Sequence, residues 1–68
     1  MELKVLVNGE CRAVAEGATV RSLLRELALA ESRVAVERNR AIVRKTDYAD
    51  TALSDGDRIE IVTFVGGG

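Results

Sequence analysis

The stretch Leu53-Ser54-Asp55-Gly56-Asp57-Arg58-Ile59-Glu60-Ile61-Val62-Thr63-Phe64-Val65-Gly66-Gly67-Gly68 contains a turn, a strand and a tail in unbroken succession. Ser54-Asp55-Gly56-Asp57 reads as a turn, with Gly56 supplying a backbone conformation that other residues adopt reluctantly. Arg58 to Phe64 is rich in β-branched residues and reads as a strand. If Ile59 and Ile61 face the core, alternation sends Glu60, Val62 and Phe64 to the opposite face. The three glycines that follow have no side chains to pack and the most backbone entropy to lose, so a partner is expected to grip them. Fully extended, Val65 to Gly68 reach roughly 13 Å, enough to cross the wall of another protein. The chemistry available there is one α-carboxylate, with an ordinary pKa of about 3.3–3.7 and so ionised at neutral pH. A carboxylate is a sluggish acyl donor until it is activated, for example by adenylation. Taken alone, the tail is equally compatible with a frayed chain end.

Outward from this stretch, the chain reads as one small domain. Sixty-eight residues bury only about 60% of their unfolded surface, so the core is marginal. Small domains often recruit disulfides or metals, but Cys11 stands alone and histidine is absent, which excludes an internal disulfide and a conventional zinc cluster. A reducing, cytoplasmic setting is expected. Basic and acidic residues are interspersed and the net charge is −1, which leaves no electrostatic footprint for nucleic acid. Neither a membrane-spanning run nor a signal-peptide pattern is present, so no membrane partner is expected. Without histidine or a nucleophile–base pair, nothing in the chain forms a catalytic constellation, and an enzyme is not expected.

The remaining elements follow in order. Leu3, Val5 and Val7 alternate with Glu2, Lys4 and Leu6, which predicts a half-buried strand. Asn8-Gly9 is a strong hairpin signal, because a type I′ turn needs positive φ at both central residues. The return strand, Glu10 to Ala15, places Cys11, Ala13 and Ala15 on one face and Arg12 and Val14 on the other. Which face is buried stays open, although Cys11 reads as a small buried residue. Thr19 is a candidate helix N-cap. Ser22 stands where a capping box prefers Glu, so the reciprocal half is expected to be missing or weak. Val20, Leu23, Leu24 and Leu27 form an apolar stripe, with Arg21, Arg25 and Glu26 outside and a predicted end near Ala28 to Ala30. Val34-Ala35-Val36 begins a third strand, Arg38-Asn39-Arg40 is a polar turn, and Ala41-Ile42-Val43 leaves it. Arg44 to Ala52 reads as a connection with one helical turn near Thr46-Asp47-Tyr48, and Leu53 as a core anchor. Arg38, Arg40, Arg44 and Lys45 read as a solvated basic face, and Asp55 and Asp57 as turn residues rather than cation ligands.

One helix covering one sheet is the economical way to bury these faces. The apolar first and last strands suit central, parallel neighbouring positions. The expected architecture is an α+β β-grasp, ubiquitin-like, with a mixed sheet of four to five strands packed on one helix. Residues 1–64 form the domain and residues 65–68 a flexible C-terminal Gly tail.

In this order the chain resembles the ubiquitin-like sulfur carriers, most closely the ThiS family of thiamine biosynthesis. The resemblance covers nearly the whole chain and is most specific in the Leu53–Gly68 stretch. It is supported by Val7-Asn8-Gly9-Glu10, the Thr19–Leu27 helix and Val34-Ala35-Val36-Glu37-Arg38-Asn39. Three positions depart from the family pattern. Arg40 replaces a frequent Gly, so its turn is expected to be built differently; Arg44 stands where Pro is frequent, and Tyr48 where Trp is frequent.

The resemblance implies that Gly68 is the modified residue, adenylated and then converted to a thiocarboxylate whose sulfur enters the thiamine thiazole ring. Gly66 and Gly67 would thread the tail into a partner, while Val62, Phe64 and Val65 would dock it. The implied partners are an E1-like adenylating enzyme (ThiF-like), a thiazole synthase (ThiG-like) and a persulfide sulfur donor. The chain itself would bind no cofactor, ATP being used by the activating enzyme. The carrier role favours a monomer with Gly68 as its last residue. Competing expectations are a carrier for molybdopterin synthesis or tRNA thiolation, conjugation to protein lysines, and a plain β-grasp interaction module. An iron–sulfur β-grasp is excluded, since its cluster needs four cysteines.

Overall fold

The computed structural model describes residues 1–64; Val65 and Gly66 to Gly68 lie outside the described residues. Strands β1 (Glu2–Val7) and β2 (Glu10–Ala15) precede helix α1 (Val20–Glu26), followed by β3 (Val34–Arg38), β4 (Ala41–Val43) and β5 (Arg58–Thr63). The sheet order is β2-β1-β5-β3-β4. The β1–β5 pair is parallel and the other three neighbouring pairs are antiparallel. This is the expected mixed sheet on one helix, with the Leu53–Phe64 stretch supplying its middle strand.

The opening hairpin forms as its sequence predicts. Asn8 and Gly9 have φ of 50° and 85°, the left-handed pair that a type I′ turn requires and that matches strand twist. The register Val5↔Arg12 and Leu3↔Val14 resolves the facing of β2, because Val5 and Val14 are both buried. Cys11 is consequently on the other face and exposed. The expectation that it is buried is incorrect, because the one strongly apolar residue of β2, Val14, sets the register of the whole strand.

Helix α1 begins at Thr19, whose Oγ1 accepts from the Ser22 backbone N–H at 3.2 Å. Contrary to the sequence expectation, the capping box is complete. The Ser22 hydroxyl oxygen lies 2.8 Å from the Thr19 N–H and accepts from it. A serine hydroxyl can therefore replace the usual glutamate when the turn is tight enough. Two further donors of the first turn are satisfied from outside the helix: Val20 N–H donates to Thr51 C=O and Arg21 N–H to Tyr48 C=O. The amino end of α1 is thereby tied to the 44–52 connection.

The helix ends earlier than its apolar pattern predicts. Leu27 is the C-cap, and Ala28 takes φ of 58°. Ala28 N–H donates to Arg25 C=O and Leu29 N–H to Leu24 C=O, the paired bonds of a Schellman motif with alanine where glycine is usual. Leu29 then packs against the core as the hydrophobic partner of that motif. The Arg38–Ala41 turn contains a similar surprise. Asn39 and Arg40 have φ of 51° and 71°, so the turn repeats the Asn8-Gly9 geometry instead of being built differently. Arg44 adopts φ −73° and ψ 146°, close to the backbone that a proline at this position would impose.

The core joins Val5, Val7 and Val14 with Val20, Leu23 and Leu24 of the helix, Val34 and Val36 of β3, and Ile59 and Ile61 of β5. Leu53 is buried as expected, and Tyr48 is the largest fully buried side chain, at 1% exposure. Burial raises the Tyr48 phenol above its ordinary value, an effect strengthened by the Glu31 carboxylate and partly offset by a hydrogen bond with the Val36 backbone. Glu31 itself is held below the usual carboxylate range by its hydrogen bond from Arg21, at 2.6 Å from Nε to Oε2. Arg21 thus bridges from the helix to the 3-10 turn Glu31–Arg33 instead of standing free on the outer face.

Two predictions follow from these local corrections. Ala28 and Arg40 are exposed and hold a conformation that costs an L-residue roughly 1–2 kcal/mol. Ala28→Gly and Arg40→Gly should each raise the unfolding free energy by about 0.5–1 kcal/mol after glycine's own entropy cost; chemical denaturation that shows both variants destabilised would contradict the assignment. Cys11 should react with a thiol reagent in the native protein without prior unfolding, and Cys11→Ser should change stability by less than about 0.5 kcal/mol. Protection of the thiol until global unfolding would show that it is buried.

Candidate functional site

The site under consideration is the exit of β5, because the sequence analysis expects the Gly68 carboxylate beyond it. On β5, Ile59 and Ile61 are buried while Glu60 is exposed. Val62 and Phe64 are 60% and 53% exposed. The alternation expected from sequence therefore holds, and Phe64 does not fold back into the core. Cross-strand pairing sets Val62 opposite Ala35 and Glu60 opposite Glu37, which in turn opposes Ile42 on β4. Ile42 is also a large exposed hydrophobic residue. The outer face of the sheet thus carries apolar side chains around two carboxylates at the strand that leads to the tail. Like charges directly opposite one another do not stabilise a sheet.

Phe64 is held by its backbone as well as by its environment. Its N–H donates to Arg33 C=O at 2.8 Å, continuing the β3–β5 ladder past the end of the strand. The Lys45 ammonium lies 6.0 Å from the Phe64 ring centroid, at the outer limit of a cation–π contact. Val65, Gly66, Gly67 and Gly68, the other residues singled out from the sequence, lie outside the described residues.

At the opposite end of β5 the Asp55-Gly56-Asp57 turn is explained by internal hydrogen bonds. Asp55 Oδ1 accepts from Lys4 N–H at 2.7 Å. Asp57 is only 6% exposed; its oxygens accept from Ser54 N–H at 2.8 Å and from Asn39 Nδ2 at 3.0 Å. Arg38 Nε lies 3.6 Å from Asp57 Oδ2, and Arg38 Nη1 donates to Ala52 C=O. Arg38 is therefore structural, which corrects its placement in a solvated basic face; Arg40, Arg44 and Lys45 are exposed. Among the described residues, no cluster of three or more His, Cys, Asp or Glu could hold a metal ion. No described helix is long and apolar enough to cross a membrane.

Two residues that the sequence presented only as turn formers hold β5 in place. Asn39 N–H donates to Arg58 C=O, and its Oδ1 accepts from Arg58 N–H at 2.9 Å. Asn8 N–H donates to Ile59 C=O, its Oδ1 accepts from Ile61 N–H at 2.8 Å, and its Nδ2 donates to Ile61 C=O at 3.1 Å. Each side-chain amide offers one acceptor and one donor, as a strand residue would. The signal available in the sequence was asparagine, rather than aspartate or glycine, at the first position of both left-handed turns.

The comparisons with known proteins agree with this geometry. The ThiS family model matches residues 5–68. The chain is 50% identical over 66 residues to a thiazole synthase of Paramagnetospirillum magneticum, covering 97% of this chain but 20% of that protein. It therefore spans about a fifth of the length of that relative, and the same holds for a thiazole synthase of Magnetococcus marinus at 42% identity. It is 48% identical over 50 residues to the sulfur carrier protein ThiS of Bacillus subtilis, covering 74% of this chain and 76% of that one. The crystal structure of a thiamine biosynthesis protein (ThiS) from Geobacter metallireducens superposes with a TM-score of 0.81 at 35% identity, covering 97% of this chain and all of that one. With one family spanning strands, helix and tail alike, the chain belongs to the ThiS family.

Proposed function

We propose that this chain is a sulfur carrier of thiamine biosynthesis and that the Gly68 carboxylate is the group that carries the sulfur. Within a partner activating enzyme of the E1-like class, a Gly68 carboxylate oxygen attacks the α-phosphorus of ATP and expels pyrophosphate. The terminal sulfur of a persulfide then attacks the acyl carbon and expels AMP. A thiol cleaves the resulting S–S bond, leaving a thiocarboxylate on Gly68 and a disulfide on the donor side. A thiazole synthase receives that sulfur. The chain contributes the substrate group and the surface that presents it, while catalysis belongs to its partners.

The observation that carries this reading is the family match through Gly68, joined to a strand whose exposed Val62 and Phe64 lead directly into the glycines. The Bacillus relative is a sulfur carrier by name. Two relatives are thiazole synthases in which a segment resembling this chain occupies a fifth of the length, which supports a thiazole synthase as acceptor over molybdopterin or tRNA pathways. Gly66 and Gly67 keep the tail slender, and Val65 joins Val62 and Phe64 in docking.

ATP-dependent pyrophosphate release with a cognate activating enzyme provides the test. Deleting Gly68, or adding one residue after it, should abolish release, whereas an indifferent C-terminus would refute the carrier role. Phe64→Ala should weaken binding of the activating enzyme about tenfold, or about 1.4 kcal/mol. Unchanged affinity together with a large loss of unfolding free energy would place Phe64 in the fold instead.

A further inference from the structure

We infer that Asn8 is a positioning residue for the tail: its side-chain amide fixes the direction in which β5 leaves the domain. The inference rests on the carrier reading above. Strand β1 pairs with β5 only at Leu6↔Arg58 and Val7↔Ile59, because the hairpin turn at Asn8-Gly9 then carries the chain away. From that point β5 has lost its neighbour on the β1 flank just before it reaches the tail. The opposite flank remains paired through Val34↔Thr63 and the Phe64–Arg33 hydrogen bond.

Asn8 fills the gap on the β1 flank. Its left-handed backbone, φ 50°, turns the side chain out of the hairpin and toward β5. There both polar groups of Ile61 are engaged by one amide. Among the described residues, these are the last hydrogen bonds that reach β5 from this flank. Ile61 stands three residues before Phe64 and seven before Gly68, so a change of strand direction at Ile61 displaces everything beyond it. Reaction at a carboxylate inside a partner's site is sensitive to such displacement, since a misplacement of about 1 Å can cost on the order of a hundredfold in rate.

Asn39 provides an internal control. Its amide oxygen likewise accepts from a β5 backbone N–H, that of Arg58, and its amide nitrogen donates to Asp57 just before the strand, at the end of β5 remote from the tail. A general weakening of the fold affects both clamps alike, and only a role in aiming the tail separates them.

The experiment compares Asn8→Gly and Asn39→Gly, which keep the left-handed turns accessible while removing each amide. Steady-state pyrophosphate release with the activating enzyme is measured well below both melting transitions, alongside amide hydrogen exchange. Asn8→Gly should lower kcat between about tenfold and a hundredfold with a much smaller change in KM, because the β3 flank still pairs Val62 and Phe64 when the amide is gone. Asn39→Gly should retain the wild-type kcat. Exchange should accelerate at Ile61 in the first variant and at Arg58 in the second. Asn8→Asp keeps the acceptor for Ile61 N–H and should restore part of the lost kcat; it also serves as the test variant if Asn8→Gly does not fold. Equal kcat in all forms, or equal losses at Asn8 and Asn39, would overturn the inference. So would unchanged Ile61 exchange in Asn8→Gly. A wild-type chain that releases no pyrophosphate with a competent enzyme would instead overturn the carrier reading, and the aiming role with it.

Discussion

Strand β5 depends on two asparagine amides for the backbone pairing that its neighbours cannot supply. Strand β1 leaves it after Val7 and β3 after Arg38, each at a two-residue left-handed turn. Asn8 and Asn39 each stand at the first position of such a turn: the Asn8 amide returns an acceptor and a donor to β5 at Ile61, and the Asn39 amide returns an acceptor at Arg58 while donating to the Asp57 carboxylate. A fully buried group left unpaired costs about 1–3 kcal/mol; the Asn8–Ile61 bonds are part-buried and lie below that range, and the Asn39–Arg58 bond is exposed to water. Two such clamps permit tight hairpins on both sides of the central strand without leaving its ends unsatisfied. Asp57 extends the arrangement by collecting Ser54, Asn39 and Arg38 around the turn where β5 begins.

This arrangement explains which parts of the fold were legible from the sequence. Asn8-Gly9, Thr19 and Ser54-Asp55-Gly56-Asp57 are local signals whose chemistry decides their conformation, and all three form where the residues indicate. The parallel β1–β5 pairing was legible from the apolar character of the first and last strands. The end of α1 was not, because Ala28 carries no mark of the left-handed conformation that tertiary packing of Leu29 makes it adopt. The Arg38-Asn39-Arg40 turn was legible, but not its left-handed type, which Arg40 does not mark as a glycine would. Cys11 was misplaced because β2 has a single strong anchor, Val14, and alternation leaves the strand's facing undetermined until pairing with β1 puts that one residue in the core.

The site was legible in a different way. Alternation along β5 made the exposure of Val62 and Phe64 legible, since the preceding Ile59 and Ile61 belong to the core. The clamps on that strand were not legible, because a side chain replacing a strand neighbour leaves no periodic trace. Tyr48 was similarly hidden in a stretch without a clean period, although it is one of only two aromatic residues in the chain. Its burial beside the amino end of α1 links the connection to the helix.

The central claim of the proposed function is that β5, with Val62 and Phe64 exposed near its end, presents the Gly68 carboxylate to enzymes that perform the chemistry. Its most direct measurement is the intact mass of the chain after incubation with ATP, a persulfide sulfur source and the cognate activating enzyme. The account predicts that one oxygen is replaced by one sulfur and that fragmentation localises the change to Gly68. An unchanged mass with an enzyme that modifies another member of the family, or sulfur found on Cys11 instead, would contradict it.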